Sequence, residues 1–378
     1  MKILHLTNTD LRVDNRILKE LKAVYTIENS IAKGFGVFES QFSLQDNLDL
    51  EVQIENINLL IRHLSFLPKV LSLPFQLIEI SIRFFLKGVI FRPEIIHCHD
   101  TMVLPVGVIL SVLFNSKLIY DAHELESEKH NQSKFLGKST LFIEKLAWKK
   151  IDLLISVSPS IIDWYQEHIG IKENLLILNS PALKMKNEVN YSDNYLREKF
   201  NISENCKIFI YIGILSDGRG IDLYLDVFQS PEITSHIVFL GDGKYEKKVK
   251  EATLNFNNIH YHPTVKADYI IDIAKSADVG LLLIKSSSLS YYYCLPNKLF
   301  EYVFSRLFIL SSDYPELKQI IEEYELGVCI PPQFKDLRNK IIEIEGQLLR
   351  PSIKNLHSLS WEFQLNKLQK AYKQLIKK

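Results

Sequence analysis

Lys207-Ile208-Phe209-Ile210-Tyr211-Ile212-Gly213-Ile214-Leu215-Ser216-Asp217-Gly218-Arg219-Gly220 reads as an apolar strand, a glycine-containing loop and the start of a helix. The isoleucine and aromatic run suits a strand, and the glycines mark where it stops. Glycine lets the backbone come close to a ligand. Arg219 offers a planar fork for phosphate oxygens. A strand that ends in such a loop before a helix is one unit of a parallel sheet covered by helices.

The same unit recurs in both directions. Downstream, Ile237–Leu240, Ile259–Tyr261, Val279–Ile284 and Leu307–Leu310 are strand candidates. Upstream, Lys2–Leu6 is a first strand, followed by a polar loop from Asn8 to Asp14 and a helix from about Asn15 to Val24. Ile95–His99, Lys117–Tyr120, Leu153–Val157 and Leu175–Leu178 follow as further strands. These end in His99-Asp100, Asp121-Ala122-His123-Glu124, Ser158 and Asn179-Ser180-Pro181. Ligands of open parallel sheets bind beyond the carboxyl ends of the strands, so chemistry is expected at these polar ends.

The two series are separated by a polar, Asn-rich stretch over residues 184–206, read as a linker. The expected architecture is α/β: a doubly wound domain over residues 1–183 and a second over 207–359, with a cleft between them as the usual place for a sizeable ligand. The last residues, 360–378, form an amphipathic helix with Leu365, Leu368, Tyr372 and Leu375 spaced by three or four, expected to pack back on the first domain.

Length and composition agree. At about 150 residues per domain, a chain of 378 residues makes two. Hydrophobic residues at 47% and charged residues at 24% describe a globular chain, and exclude a disordered or collagen-like one. Lys plus Arg equals Asp plus Glu at 45 each, which removes the general electrostatic argument for a nucleic-acid partner. Cys98, Cys206, Cys294 and Cys329 are scattered, as suits a reducing compartment and not a structural zinc site. The N-terminal apolar run is too short for a signal peptide, so the reading is cytoplasmic. Leu59 to Phe91 is strongly apolar, carries Arg62, Lys69, Arg83 and Lys87 with Arg92 just beyond, and is broken by Pro68 and Pro74. It is too interrupted to span a bilayer, and reads either as a helix packed on the sheet or as a segment at a membrane surface.

No Gly-x-Gly-x-x-Gly fingerprint or Walker pattern is present, which disfavours a nicotinamide dehydrogenase and a P-loop ATPase. No two aspartates are separated by a single residue, so no Asp-x-Asp metal clamp exists. His97 and His99 share one face of a strand, yet a metal needs further ligands that the sequence does not place, so metal independence is expected. Tyr291 to Tyr302 reads as a loop entering a helix, with Pro296 suited to the first helical position. Asn297, Lys298 and Glu301 can share a helix face. Lys298 in the first turn opposes the helix dipole by a few tenths of a kcal/mol, roughly, and a bound anion would reverse that sign. With the Gly213 to Gly220 loop and the tight turn at Gly241-Asp242-Gly243, three anion-friendly features lie at strand ends of one domain and suggest a diphosphate-bearing ligand.

These residues resemble glycosyltransferase family 4 (glycosyl transferases group 1), retaining enzymes of the GT-B fold with two Rossmann-like domains. The resemblance runs through Asp14 to Glu20, Ile95 to Asp100, Ile119 to Glu124, Asn179-Ser180-Pro181, Gly213 to Gly220, Gly241 to Gly243, Ala277 to Gly280, Pro296 to Tyr302 and Ser360-Trp361-Glu362. It implies transfer of a sugar from a nucleotide diphosphate, UDP or GDP, to a saccharide acceptor, with no other cofactor. Glu301 matches the second glutamate of the family's Glu-x7-Glu motif, which holds the ribose; a carboxylate accepts bonds from both vicinal hydroxyls. Arg219 matches the basic residue gripping the donor diphosphate, and His123 the histidine facing the transferred sugar. Gly213, Gly241, Gly243, Val265, Tyr293, Asn297, Lys298 and Leu299 complete the implied donor side. Asp14, Arg16, His99, Asp100 and Glu124 form the implied acceptor side. Two positions depart from the family. Tyr293 stands where the first motif glutamate belongs, and Ile214 where an arginine is usual, a loss that Lys298 would offset. A lipid-linked acceptor at the inner face of a membrane, met through residues 59–92, fits this reading. A sugar-nucleotide epimerase of the same fold, and a non-catalytic relative binding a partner enzyme, remain as alternatives.

Overall fold

The computed structural model describes residues 1–39, 52–61, 69–183, 191–349, 351 and 355–377. The chain divides into two units, residues 1–178 with 362–378, and residues 179–361. The first unit begins with β1 (Lys2–Leu6), α1 (Asn15–Tyr25), β2 (Ile31–Val37), β3 (Gln53–Ile57) and α2 (Lys69–Phe91). It continues with β4 (Ile95–His99), α3 (Leu104–Phe114), β5 (Lys117–Ala122), α4 (Lys134–Ala147), β6 (Leu153–Ser156), α5 (Pro159–His168) and β7 (Asn174–Leu176). All seven strands pair in parallel in the order β3-β2-β1-β4-β5-β6-β7. The order reverses between β1 and β4, and that is where an open sheet leaves a crevice.

Right-handed crossovers put α1 on one face of this sheet and α2, α3 and α4 on the other. β4 is buried along its whole length, as expected for a central strand covered on both sides. On the α4 side, the buried Glu144 ties that helix to the sheet by accepting hydrogen bonds from Tyr120 and Tyr165 at 2.7 Å each and from Thr101 at 3.0 Å.

The second unit runs α6 (Tyr195–Phe200), β8 (Ile208–Ile212), α7 (Ile221–Phe228), β9 (His236–Leu240), α8 (Glu246–Asn255), β10 (Ile259–His262), α9 (Ala267–Ala274) and β11 (Val279–Leu282). Then come α10 (Leu289–Tyr292), α11 (Asn297–Phe304), β12 (Phe308–Ser312), α12 (Pro315–Glu323), β13 (Gly327–Ile330) and α13 (Phe334–Glu345). Its six parallel strands lie in the order β10-β9-β8-β11-β12-β13, with the same reversal between β8 and β11. The final helix, α14 (Trp361–Lys377), returns to the first unit: Gln369 donates to the Ala23 carbonyl of α1 at 3.1 Å, and Leu368 and Tyr372 are fully buried.

Three strands escape the sequence pattern. β2 carries Gly34 and Gly36, β3 is polar and at an edge of the first sheet, and β13 is a half-buried four-residue strand at an edge of the second, so none shows a long apolar run. α2 continues through Pro74, which interrupts one backbone bond without ending the helix. Pro296 is not the first helical residue: it is extended and caps α11, whose first residue is Asn297. Parts of two expected features, 62–68 of the apolar stretch and 184–190 of the linker, lie outside the described residues.

Candidate functional site

In the second unit the loops after β8, β9 and β11 converge at the strand-order reversal. Gly213 directly follows β8, with φ at +116°, and its N–H donates to the Leu240 carbonyl at 2.9 Å. Gly241, at φ +154°, follows β9 so closely that a side chain there would collide with the Gly213 carbonyl. The two loops are knitted by Leu215 N–H to the Asp242 carbonyl at 2.6 Å and Tyr245 N–H to the Leu215 carbonyl at 2.9 Å. Bare backbone is thereby held at the end of the sheet, the form that accommodates a close-lying anion.

Lys298 rises into this region from the first turn of α11. It is buried to 8% exposure, and its ammonium sits 3.9 Å from the centre of the Tyr211 ring. Its aliphatic end and ammonium would face a Cβ at Gly213 at 3.7 and 3.6 Å. Burial, with repulsion from Arg219, brings its pKa down to about 7, against the pull of Glu301. Arg219 is half-buried and stacks by Tyr291, 5.3 Å from the ring centre. Lys298 and Arg219 thus lie close enough to repel each other, with Glu301 offsetting part of the charge on Lys298. A bound anion would relieve that repulsion.

α11 is held rigidly. The Tyr302 hydroxyl accepts from the Ile212 N–H at 3.1 Å and is 3.1 Å from the Leu281 carbonyl, pinning the helix across β8 and β11. Asn297 is exposed at the helix start, while Leu299 is fully buried and its N–H donates to the Pro296 carbonyl at 3.0 Å. Leu299 is therefore a core residue that presents no side chain to a ligand, against the sequence expectation. Tyr293 ends α10 beside Tyr292, with ring centres 5.5 Å apart. Val265 is half-buried in the loop between β10 and α9, and Gly243 closes the turn after β9. A separate cavity of about 660 Å³ lies at the far end of α11, lined by Ala267, Ile271, Lys275, Phe304 and Arg306 among others. It shares no residue with this set.

In the first unit, His123 directly follows β5 and stands over a buried ionic network. Its Nε2 lies 3.3 Å from Asp121 and 3.1 Å from His99 Nδ1, and its N–H lies 3.4 Å from Asp100 Oδ1. Burial pulls the imidazole pKa down, but Asp121 and Asp100 outweigh it and raise the value to about 9. Burial also works against the charge of Asp121, yet Arg16, at 3.0 Å, and His123 hold that carboxyl well below the usual range. His123 is thus an imidazolium at neutral pH and can donate a hydrogen bond but not accept one. Asp100 adopts φ +64°, a strained backbone state for a residue with a side chain, at the turn that brings it beside His123.

Two acceptor-side expectations are corrected here. Arg16 and His99 are buried, with Arg16 spent on Asp121, on Glu20 at 3.2 Å and on the Ile177 carbonyl at 3.2 Å. Neither can touch an acceptor; they position Asp121 and His123. Asp14 caps α1, accepting from the Ile17 N–H at 3.2 Å and from the Thr9 hydroxyl at 2.8 Å. Glu124 is half-buried in the loop after β5.

The sequence reading missed how deep this network runs. His5, Glu20, His97 and Tyr372 join it: His5 Nδ1 lies 2.9 Å from His99 Nε2, and His97 Nδ1 lies 2.8 Å from the Tyr372 hydroxyl. His5, Glu20, His97 and His99 each offer a ligand atom within 4.8 Å of the others, as do His99, Asp121 and His123. By residue type these sets could hold a metal. His5 and His99 share one hydrogen bond and His97 and Tyr372 another, while His97 Nε2 and both Glu20 carboxylate oxygens are buried without a hydrogen-bond partner among the described residues. Arg16 pairs with both Glu20 and Asp121, one positive charge against two carboxyl groups.

Residues 192–350 match the family model described as "Glycosyl transferases group 1". No curated protein sequence matches the chain. Among solved structures, sucrose-phosphate synthase from Thermosynechococcus elongatus superposes with a TM-score of 0.77 at 18% identity, covering 100% of this chain and 99% of that one. A glycosyltransferase from Rickettsia africae gives 0.71 at 14% identity, covering 100% and 98%. HepE from Anabaena, solved with UDP-glucose, gives 0.68 at 14% identity, covering 99% and 95%. The fold is that of GT-B glycosyltransferases, with two Rossmann-like domains, and the family match over the second unit supports a glycosyltransferase.

Proposed function

We propose that this chain moves a sugar from a nucleotide diphosphate donor to a hydroxyl of a saccharide acceptor, with retention at the anomeric carbon. The observation that carries the reading is the positive charge gathered at the β8/β11 reversal, where Lys298 faces bare backbone at Gly213 and Arg219 lies near enough to repel it. Departure of the diphosphate builds negative charge, and these two cations with the start of α11, which no described side chain caps, would stabilise it. Glu301 would accept bonds from the ribose hydroxyls. His123, charged at neutral pH, would donate to a hydroxyl of the transferred sugar and would not act as a base. Retaining transfer from the leaving-group side needs no side-chain base, because the departing diphosphate oxygen takes the acceptor proton.

A UDP donor is supported by the HepE complex with UDP-glucose, and the base remains open to GDP. Lipid-linked saccharide in surface-polysaccharide assembly, at the inner face of a membrane, is the acceptor class that fits the apolar, basic 59–92 stretch. The residues proposed for the donor require no divalent ion. The test is incubation with a panel of UDP- and GDP-sugars, following the anomeric configuration of the released or transferred sugar by proton NMR. Retained configuration from one donor, lost in Arg219→Ala and Glu301→Ala variants with intact circular dichroism, is the expected result. Turnover at full rate in both variants overturns the assignment. Conversion of the donor sugar without any acceptor would instead favour an epimerase.

A further inference from the structure

The helices on one face of the first unit keep apolar side chains on their outer sides as well as their inner ones. In α2, Ile80, Phe84 and Gly88 point inward at steps of four, while Ile78, Ile82, Leu86 and Ile90 step along the opposite side, each more than half exposed. α2 lies tight against α3, because a methyl at Gly88 would come within 2.5 Å of Leu110. α3 is apolar all round, which is the pattern of an enclosed helix. Here it is not enclosed: Ile109, Val112 and Leu113 are also more than half exposed. α4 packs beside α3 and adds Phe135, Phe142 and Leu146, at 81%, 62% and 67% exposure. Scattered surface leucines need no explanation, but side-by-side rows on three neighbouring helices make a continuous apolar field.

The charge around this field has one sign on α4. Lys134, Lys138, Lys145, Lys149 and Lys150 are all exposed along that helix and the turn after it. The one carboxylate within the stretch, Glu144, is turned inward to Tyr120 and Tyr165. Long lysine stems can lie along apolar surface while their ammonium groups reach outward. Exposed apolar rows fringed by lysine fit the boundary between acyl chains and anionic headgroups. No described helix is long and apolar enough to cross a membrane, so the contact would lie in the interface plane.

We propose that the outer surface of α2, α3 and α4 seats the first unit on an anionic lipid bilayer, apolar side chains in the acyl boundary and α4 lysines at the phosphates. This extends the surface beyond residues 59–92 to two helices that the sequence reading did not connect with a membrane. It is measured without donor or acceptor, so its failure and that of the transferase reading are separate events.

The test is co-sedimentation of the full chain with vesicles of phosphatidylcholine alone and of phosphatidylcholine mixed with phosphatidylglycerol. The expected result is binding to the mixed vesicles, weakened by salt, and at least about tenfold weaker binding to the neutral ones. Phe142→Ser with Leu146→Ser should lower binding to both by about tenfold, and Lys134→Glu with Lys138→Glu and Lys145→Glu should remove the anionic preference. Leu254→Ser, exposed in the second unit, should leave binding unchanged. Equal binding to both vesicles, or binding indifferent to the α4 variants with melting temperatures unchanged, overturns the proposal. So does a dimer in light scattering that Phe142→Ser with Leu146→Ser converts to a monomer, since a second copy would then be the occupant.

Discussion

Lys298 is the residue whose environment makes the sharpest prediction. Its pKa of about 7 means that near neutrality it is half charged. An anion bound beside it favours the ammonium, so donor binding should take up a proton and weaken as pH rises above about 7. The Michaelis constant for the donor should therefore climb from pH 7 to 9, and Lys298→Met should raise it at neutral pH and flatten the slope. A slope identical in the variant would mean that another group titrates. His123 works in the opposite unit by the same logic. Its folded pKa of about 9 exceeds the ordinary histidine value, so its contribution to stability is complete below about pH 6.5 and is lost as pH rises toward 9. Asp121→Asn removes the carboxylate that holds both His123 and Arg16. Breaking such a buried pair costs about 3–5 kcal/mol, measurable by urea denaturation, and NMR titration should show the His123 pKa falling. A fall in stability with the His123 pKa unmoved would contradict the assigned pairing. His123, Arg219 and Lys298 were legible in the chain because each sits in a short local motif. His5, Glu20 and Tyr372 were not, because they reach the network from a different strand and from helices far apart in sequence.

At the scale of elements, the strand-order reversal explains both what the sequence revealed and what it hid. Central strands such as β4, β5 and β8 are buried on both faces and read as apolar runs. Edge strand β3 is half-covered and polar enough to pass for a loop, and edge strand β13 has only four residues, the first a glycine. The facing of His5 by His97, and of His99 by Asp121, depends on β1-β4-β5 adjacency, which no local window contains. α11 shows how an element fixes a site. Tyr302 lies four residues after Lys298 and anchors the helix by its hydroxyl to β8 and β11. Tyr302→Phe leaves the buried Ile212 N–H without that acceptor and should cost about 1–3 kcal/mol in chemical denaturation. If α11 positions Lys298 and Glu301, the same variant should raise the donor Michaelis constant more than it lowers turnover. Unchanged kinetics at reduced stability would confine Tyr302 to the core.

The whole molecule is two sheets with one sheet order, and the chain enters the second unit at residue 179 and returns to the first at 362. The first unit is thus discontinuous in sequence, closed by α14. Leu368 in that helix is fully buried, so Leu368→Ala should cost about 2–5 kcal/mol. Hydrogen exchange should locate the loss in α1, β1 and β4 while β8 and β11 keep their protection; equal loosening of both units would contradict this division. In the proposed function the end of the second sheet grips a diphosphate through Arg219 and Lys298. Calorimetric titration of UDP and GDP, each against its nucleoside, tests it most directly. One diphosphate should bind clearly better than its nucleoside, and Arg219→Ala and Lys298→Met should each weaken it by at least about tenfold while leaving the nucleoside's weak binding alone. Nucleoside and diphosphate binding equally, or both variants binding the diphosphate as the natural chain does, would contradict the claim.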